Sequence, residues 1–135
     1  MRRTQVAIIG GGPAGMLLSH LLHRHKIDSV VLERQTKAYV IKRIRAGVLE
    51  PGSVKLFRQS GLAERMDREG HAHDGAWIAW QAREPFLIDT KTYAGSPMWS
   101  YGQTAITEEL YRVRERDGGR IVEEAENVRL HNLTS

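Results

Sequence analysis

Three glycines and one acid carry the most specific chemistry in this chain. Gly10, Gly12 and Gly15 fall within the run Gly10-Gly11-Gly12-Pro13-Ala14-Gly15, and Glu33 follows at the distance expected of a ribose-binding acid, roughly 20 residues on. Gly10 permits a tight turn, Gly12 lets the backbone approach a pyrophosphate, and Gly15 lets a helix pack close to the preceding strand. Pro13 has no N–H to lose at the first helical turn. A helix N-terminus beginning there offers free amides and a positive dipole end to phosphates. Glu33 would accept hydrogen bonds from a ribose.

The elements that must hold these groups are legible on both sides. Val6-Ala7-Ile8-Ile9 predicts a strand running into the glycines. Met16, Leu17, Leu18, Leu21 and Leu22 predict one broad apolar helix face, and Val30-Val31-Leu32 predicts a second strand ending on Glu33. Glycine-rich loops join many strands to many helices, so the motif alone says little. Strand, helix, spacing and terminal acid together describe a βαβ unit that binds the ADP half of a dinucleotide.

Directly after Glu33, the stretch from Arg34 to Arg45 holds Arg34, Lys37, Lys42, Arg43 and Arg45 and no acid. Such runs are commonly solvated surface. This one lies where a second nucleotide or a pyrophosphate could reach it, and guanidinium forks suit phosphate oxygens.

Bulk composition narrows the class. The 135 residues are 41% hydrophobic and 27% charged, with a net charge of +4, as in a soluble globular domain able to bury a core. No apolar run reaches the roughly 18 residues that a membrane span needs, and the first apolar segment is too short for a secretory signal. The absence of cysteine excludes disulfides, thiolate metal sites and a cysteine nucleophile, and is compatible with a reducing, cytoplasmic setting. No basic-aromatic stripe supports nucleic-acid binding. His20, His23 and His25 cluster at the end of the first helix, but without a third ligand and supporting shell they do not argue for a metal.

Further along, a helix is expected over about residues 52–59, with Val54, Leu56 and Phe57 on one side, then a short helical turn over 62–67. Residues 70–75 read as a polar turn. Ala76–Trp80 and Pro85–Asp89 predict an inserted antiparallel hairpin, with Trp77 and Trp80 expected to pack against a sheet or a partner domain. A short strand at 98–101 precedes a helix from 102 to about 116, stopped by Gly118-Gly119. Two more strands are expected at 120–122 and 127–130.

Four segments together resemble a known family. The glycine run, Val31-Leu32-Glu33-Arg34-Gln35, Arg43-Ile44-Arg45-Ala46-Gly47-Val48-Leu49-Glu50 and Tyr101-Gly102-Gln103-Thr104 are similar to the FAD-dependent aromatic hydroxylases of the 4-hydroxybenzoate 3-monooxygenase (p-hydroxybenzoate hydroxylase) family. The resemblance runs from Thr4 to about Leu133. It implies an N-terminal portion of a larger two-domain fold, a Rossmann-like α/β FAD-binding domain over residues 1–135 whose later FAD motifs and substrate domain lie elsewhere. Carried over by residue, it places the backbone of Gly12 to Gly15, Ala14 included, at the FAD pyrophosphate, Gly10 at the cofactor-binding turn and Glu33 on the adenosine ribose. The family often has a serine at position 14, so Ala14 lacks one phosphate contact. Arg45 is similar to an arginine on the FAD pyrophosphate, and Gln103 to a glutamine near the ribityl chain. Gly47 and Val48 would line the loop beside the flavin ring. Arg34, Gln35, Tyr39 and Arg43 match a segment that meets NADPH.

The resemblance further implies O2 and 4-hydroxybenzoate as substrates and a homodimer, with no residue of this stretch acting as a catalytic group. Two other readings compete with it: another FAD-dependent oxidoreductase, which leaves the Arg43-to-Glu50 run a coincidence, and a truncated piece without turnover, since strand edges would lack partners.

Overall fold

The structure, a computed structural model, describes residues 3–43 and 46–131. Two compact units divide the chain, residues 1–44 with 104–135 and residues 45–103.

The first unit is built on parallel pairing. Strand β1 (Val6–Ile9) leads through the glycines into helix α1 (Pro13–Arg24), and strand β2 (Ser29–Leu32) returns alongside β1 with Val6 opposite Ser29 and Ile9 opposite Leu32. Helix α2 (Lys37–Lys42) follows, and the chain re-enters the unit in a long helix ending at Arg116. A third parallel strand, Arg120–Val122, pairs with β2. The order is thus first strand, second strand, last strand, the layout of a doubly wound sheet's first half.

The buried face of α1 differs from the expected leucine face. Met16, Ser19 and His20 are buried, whereas Leu18 is 45% exposed and the other leucines are half-buried. The cause is polar and local. Ser19 lies against Ser29 of β2, the two hydroxyls 3.4 Å apart, and its oxygen accepts from Arg114 Nε at 3.0 Å. A small hydroxyl lets a strand and a buried arginine approach the helix together, which a leucine at that position would prevent.

In the second unit, strand β3 (Val48–Leu49) and strand β4 (His71–His73) both pair antiparallel with a strand at Met98–Ser100. Helices α3 (Pro51–Gln59) and α4 (Glu64–Glu69) supply Val54, Phe57 and Met66 to its core, beside Leu62, Ala63 and Tyr101. Gly61, at φ +72°, turns the chain out of α3. Strands β5 (Gly75–Ile78) and β6 (Phe86–Asp89) form the expected antiparallel hairpin, with Trp77 opposite Leu87. Helix α5 (Thr90–Ala94) is capped by the Asp89 carboxylate, which accepts from the Thr92 amide at 2.8 Å. Strand β7 is Met98–Ser100, helix α6 is Gln103–Arg116, and strand β8 is Arg120–Val122.

Several expectations are corrected. The polar stretch 70–75 contains β4, because its edge amides and carbonyls find β7. Residues 127–131 form no strand: Asn127 takes a left-handed φ of 55°, and among the described residues no strand pairs with Val128 or Leu130. The short helix begins at Glu64 rather than Leu62. Trp77 and Trp80, expected to pack against a sheet or a partner domain, are covered by no sheet among the described residues and are 69% and 64% exposed.

Candidate functional site

The glycine turn behaves as its residue types require. Gly10 has φ +114°, a conformation that a side chain would strain, and its amide donates to Leu32 O at 2.8 Å. A Cβ on Gly15 would strike the carbonyl oxygen of Gly10 and lie 3.2 Å from Ile8 Cγ2, so α1 can start this close to β1 only with glycine there. A Cβ on Gly12 would meet nothing within 4 Å. The backbone at Gly12 therefore faces open space, and the start of α1 carries no side-chain cap and no acid in its first turn. Ala14 is exposed on that turn. Uncapped amides around a bare loop suit an anion.

Glu33 is fixed before any ligand arrives. Its Oε2 accepts from the Gly11 amide at 2.6 Å and its Oε1 from the Gln35 amide at 2.8 Å. Its own amide donates to Val122 O at 2.9 Å, and its carbonyl accepts from Ala125 N at 2.8 Å. A carboxylate has about four acceptor sites, so each oxygen keeps one lone pair for a ribose hydroxyl. Glu33 thus ties the glycine loop to the end of β2 while remaining able to bind a diol.

Sequence reasoning missed what lies beneath this clasp. Tyr111 of α6 is fully buried, and its hydroxyl would be 2.5 Å from a Cβ placed on Gly11. That explains glycine at position 11 by packing. The hydroxyl has no hydrogen-bond partner among the described residues. Burial, followed by the charges of Glu33, Glu123 and Glu115, pushes the phenol up to about 12. It stays neutral beside the glutamate.

The cationic segment splits in two. Arg34, Lys42 and Arg43 are exposed, and their side chains make no hydrogen bond or ion pair among the described residues. Lys37 is bonded to acids of the same unit, its amide to Glu123 and its ammonium to Glu115. Tyr39 is 54% exposed on α2, whose N-cap is the Thr36 hydroxyl accepting from Tyr39 N at 3.2 Å. Glu33, Gln35, Tyr39 and Arg43 therefore belong to one continuous stretch leading away from the glycine turn.

In the second unit the structure brings together Gly47, Val48 and Gln103. The Tyr101 amide donates to Gly47 O at 2.7 Å, and Val48 pairs with Ser100. A Cβ on Gly47 would fall 2.8 Å from Gly102 Cα and from Tyr101 O, so glycine is required by close approach of two backbones. Val48 is 50% exposed, and Gln103 opens α6 half-buried. Arg45 lies outside the described residues.

The family described as FAD binding domain matches residues 3–134. The p-hydroxybenzoate hydroxylase of Acinetobacter baylyi is 38% identical over 132 residues, which are 97% of this chain and 32% of that protein. Rifampicin monooxygenase of Streptomyces venezuelae is 36% identical over 87 residues, 63% of this chain and 18% of that protein. The structure of Pseudomonas aeruginosa PqsL with 2-aminobenzoylacetate matches at a TM-score of 0.78 and 17% identity, over 91% of this chain and 34% of that one. That of p-nitrophenol 4-monooxygenase PnpA from Pseudomonas putida DLL-E4 matches at 0.74 and 19%, over 87% and 31%. These two likenesses show the fold. The chain spans about a third or less of the length of these relatives.

Proposed function

The chain belongs to the FAD binding domain family, and from that premise we propose that it is the FAD-binding part of an aromatic-ring monooxygenase using NADPH and O2. The substrate we propose is 4-hydroxybenzoate, converted to 3,4-dihydroxybenzoate, on the strength of the 38% identity to p-hydroxybenzoate hydroxylase. The observation that carries the reading is the Glu33 clasp beside an open, side-chain-free turn. The residues present fit FAD. The α1 amides and Gly12 would meet the pyrophosphate, and the spare lone pairs of Glu33 the adenosine ribose. Gly47 and Val48 would line the flavin, with Gln103 at the ribityl chain and Arg45 a second pyrophosphate contact.

When bound, FAD supplies the redox chemistry, accepting hydride from the nicotinamide and delivering electrons to O2. The chain's own residues bind and orient. Arg34, Gln35, Tyr39 and Arg43 present donors and positive charge to the nicotinamide nucleotide, whose 2′-phosphate favours cations over acids. Arg43→Ala should raise the KM for NADPH while hardly touching NADH, and Tyr39→Glu should move preference toward NADH. The preference should shrink as salt rises, because these groups are exposed. The measurement is 3,4-dihydroxybenzoate formation and the ratio of kcat/KM for the two nucleotides in the intact protein. No product from 4-hydroxybenzoate overturns the substrate, and a ratio unmoved by either change removes the segment from the nucleotide site.

A further inference from the structure

Among the cations from Arg34 to Arg43, Lys37 is the one whose side chain pairs with an acid among the described residues. Its ammonium donates to both carboxylate oxygens of Glu115 on α6, each at 2.7 Å. The same ammonium lies 5.7 Å from the centre of the Tyr111 ring. Its backbone amide donates to Glu123 Oε2 at 2.6 Å, just beyond β8. The first residue of α2 is thus gripped at its main chain and at its side chain. The grips come from two elements distant in sequence, and Tyr111 also touches Gly11 of the glycine loop.

We propose that Lys37 is a clamp and not a phosphate ligand: held by Glu115, Glu123 and Tyr111, it fixes α2 against α6 and so positions Tyr39 and Arg43 for the nicotinamide nucleotide. The proposal rests on the reading of those two residues given above. A single exposed ion pair holds little. Here one residue also spends its backbone donor and lies over a buried ring, so its contacts act on the same short helix. A helix of six residues has little stability of its own and takes its pose from such anchors. Lys37 has its charge neutralised by Glu115, which leaves the nucleotide to the exposed Arg34, Lys42 and Arg43.

The two roles predict opposite signs. Glu115→Gln, made in the intact FAD-loaded protein, would free the ammonium. If Lys37 were a phosphate ligand, NADPH would then bind more tightly. For a clamp, Glu115→Gln and Lys37→Met should each raise the KM for NADPH by roughly three- to tenfold, leave kcat unchanged and leave FAD affinity intact. The double variant should be no worse than Lys37→Met alone, because without the ammonium Glu115 has no clamp contact left to lose. Hydrogen exchange at the amides of residues 37–42, read without turnover, should quicken in both variants. A lower KM with Glu115→Gln overturns the proposal, as does unchanged exchange, or faster exchange with an unmoved KM while Arg43→Ala still raises it. Faster exchange with a KM indifferent to all three substitutions instead faults the nucleotide reading of Tyr39 and Arg43 and leaves α2 clamped for another purpose.

Discussion

The parallel unit around β1, α1 and β2 and the hairpin β5–β6 bury their apolar residues in opposite degrees. In the first, Met16, Val31, Leu110 and Tyr111 have no exposed surface. In the second, Trp77, Trp80 and Phe86 are each more than half exposed. The difference follows from architecture. A βαβ unit carries its own covering helix, and Ser19, Ser29 and Arg114 add a polar seam that draws α1, β2 and α6 together. A two-stranded ribbon has one partner per strand and no layer of its own to lie beneath, and such ribbons are marginal by themselves. Charge and backbone hydrogen bonding organise the glycine loop, whereas strand pairing, with the bonds of Thr90 and Lys91 to Asp74 at its base, organises the hairpin.

The sharpest way to break this contrast is at glycine. Gly15→Ala places a Cβ on the carbonyl oxygen of Gly10, which is backbone and cannot swing aside. The turn must open or α1 must retreat, and both displace the uncapped amides at the start of α1. Loss of FAD retention and a fall in thermal stability of the order of the larger single-residue effects, about 4 kcal/mol or more, are expected. Gly52→Ala on α3 is the matched control, since a Cβ there meets nothing within 4 Å. Its effect should be neutral or slightly stabilising. Equal behaviour of the two variants, read by thermal unfolding and flavin fluorescence, would remove the steric account of the turn.

A smaller effect is expected at Tyr111. Its phenol is pushed up to about 12 in the fold, against an ordinary value of 10.0. A group whose folded pKa is raised contributes stability that is complete below the ordinary value and is lost as pH climbs through the folded one. Here the unfolded chain releases its proton first, so stability falls between about pH 10 and pH 12. Tyr111→Phe should flatten that part of the alkaline unfolding profile. In an absorbance titration of tyrosinate, the substitution should remove a component that ionises at about pH 12. A profile unchanged by the substitution would mean that the hydroxyl reaches water.

What could be read from the sequence was what depends on near neighbours. The glycine turn, both strands around it, the hairpin and α6 follow from local periodicity and from residues with restricted or unusual backbone freedom. Two helices had local signals that were overshadowed. Thr36 caps α2 inside a run noticed for its charges, and Asp89 caps α5 at the end of a run noticed for its β pattern. Val128 and Leu130 show the converse error, since alternation promises a strand but only a partner makes one. The remainder is long-range. Nothing near Gly11 announces Tyr111, nothing near Gly47 announces Gly102, and nothing near Lys37 announces Glu115, because each meeting is created by the fold. The Glu33 clasp lies between these cases: the acid was legible, but its bonds to Gly11 and Gln35 were not.

The smallest expected effect belongs to the hairpin. Trp77 is 69% exposed, and its cross-strand neighbour Leu87 is itself 43% exposed. Replacing Trp77 by Thr keeps a residue suited to strands and removes a ring with little buried surface, so stability should change by no more than about 0.5 kcal/mol. Met16→Ala is the comparison: Met16 is fully buried on α1, and its truncation should cost about 2–5 kcal/mol. Thermal unfolding of both variants in the intact protein measures the gap directly. A small loss for Trp77→Thr leaves the hairpin as a ribbon held by its own pairing. A loss approaching that of Met16→Ala would show that the ring is covered in solution, and the contrast between the two regions would then be one of when each face is buried rather than whether.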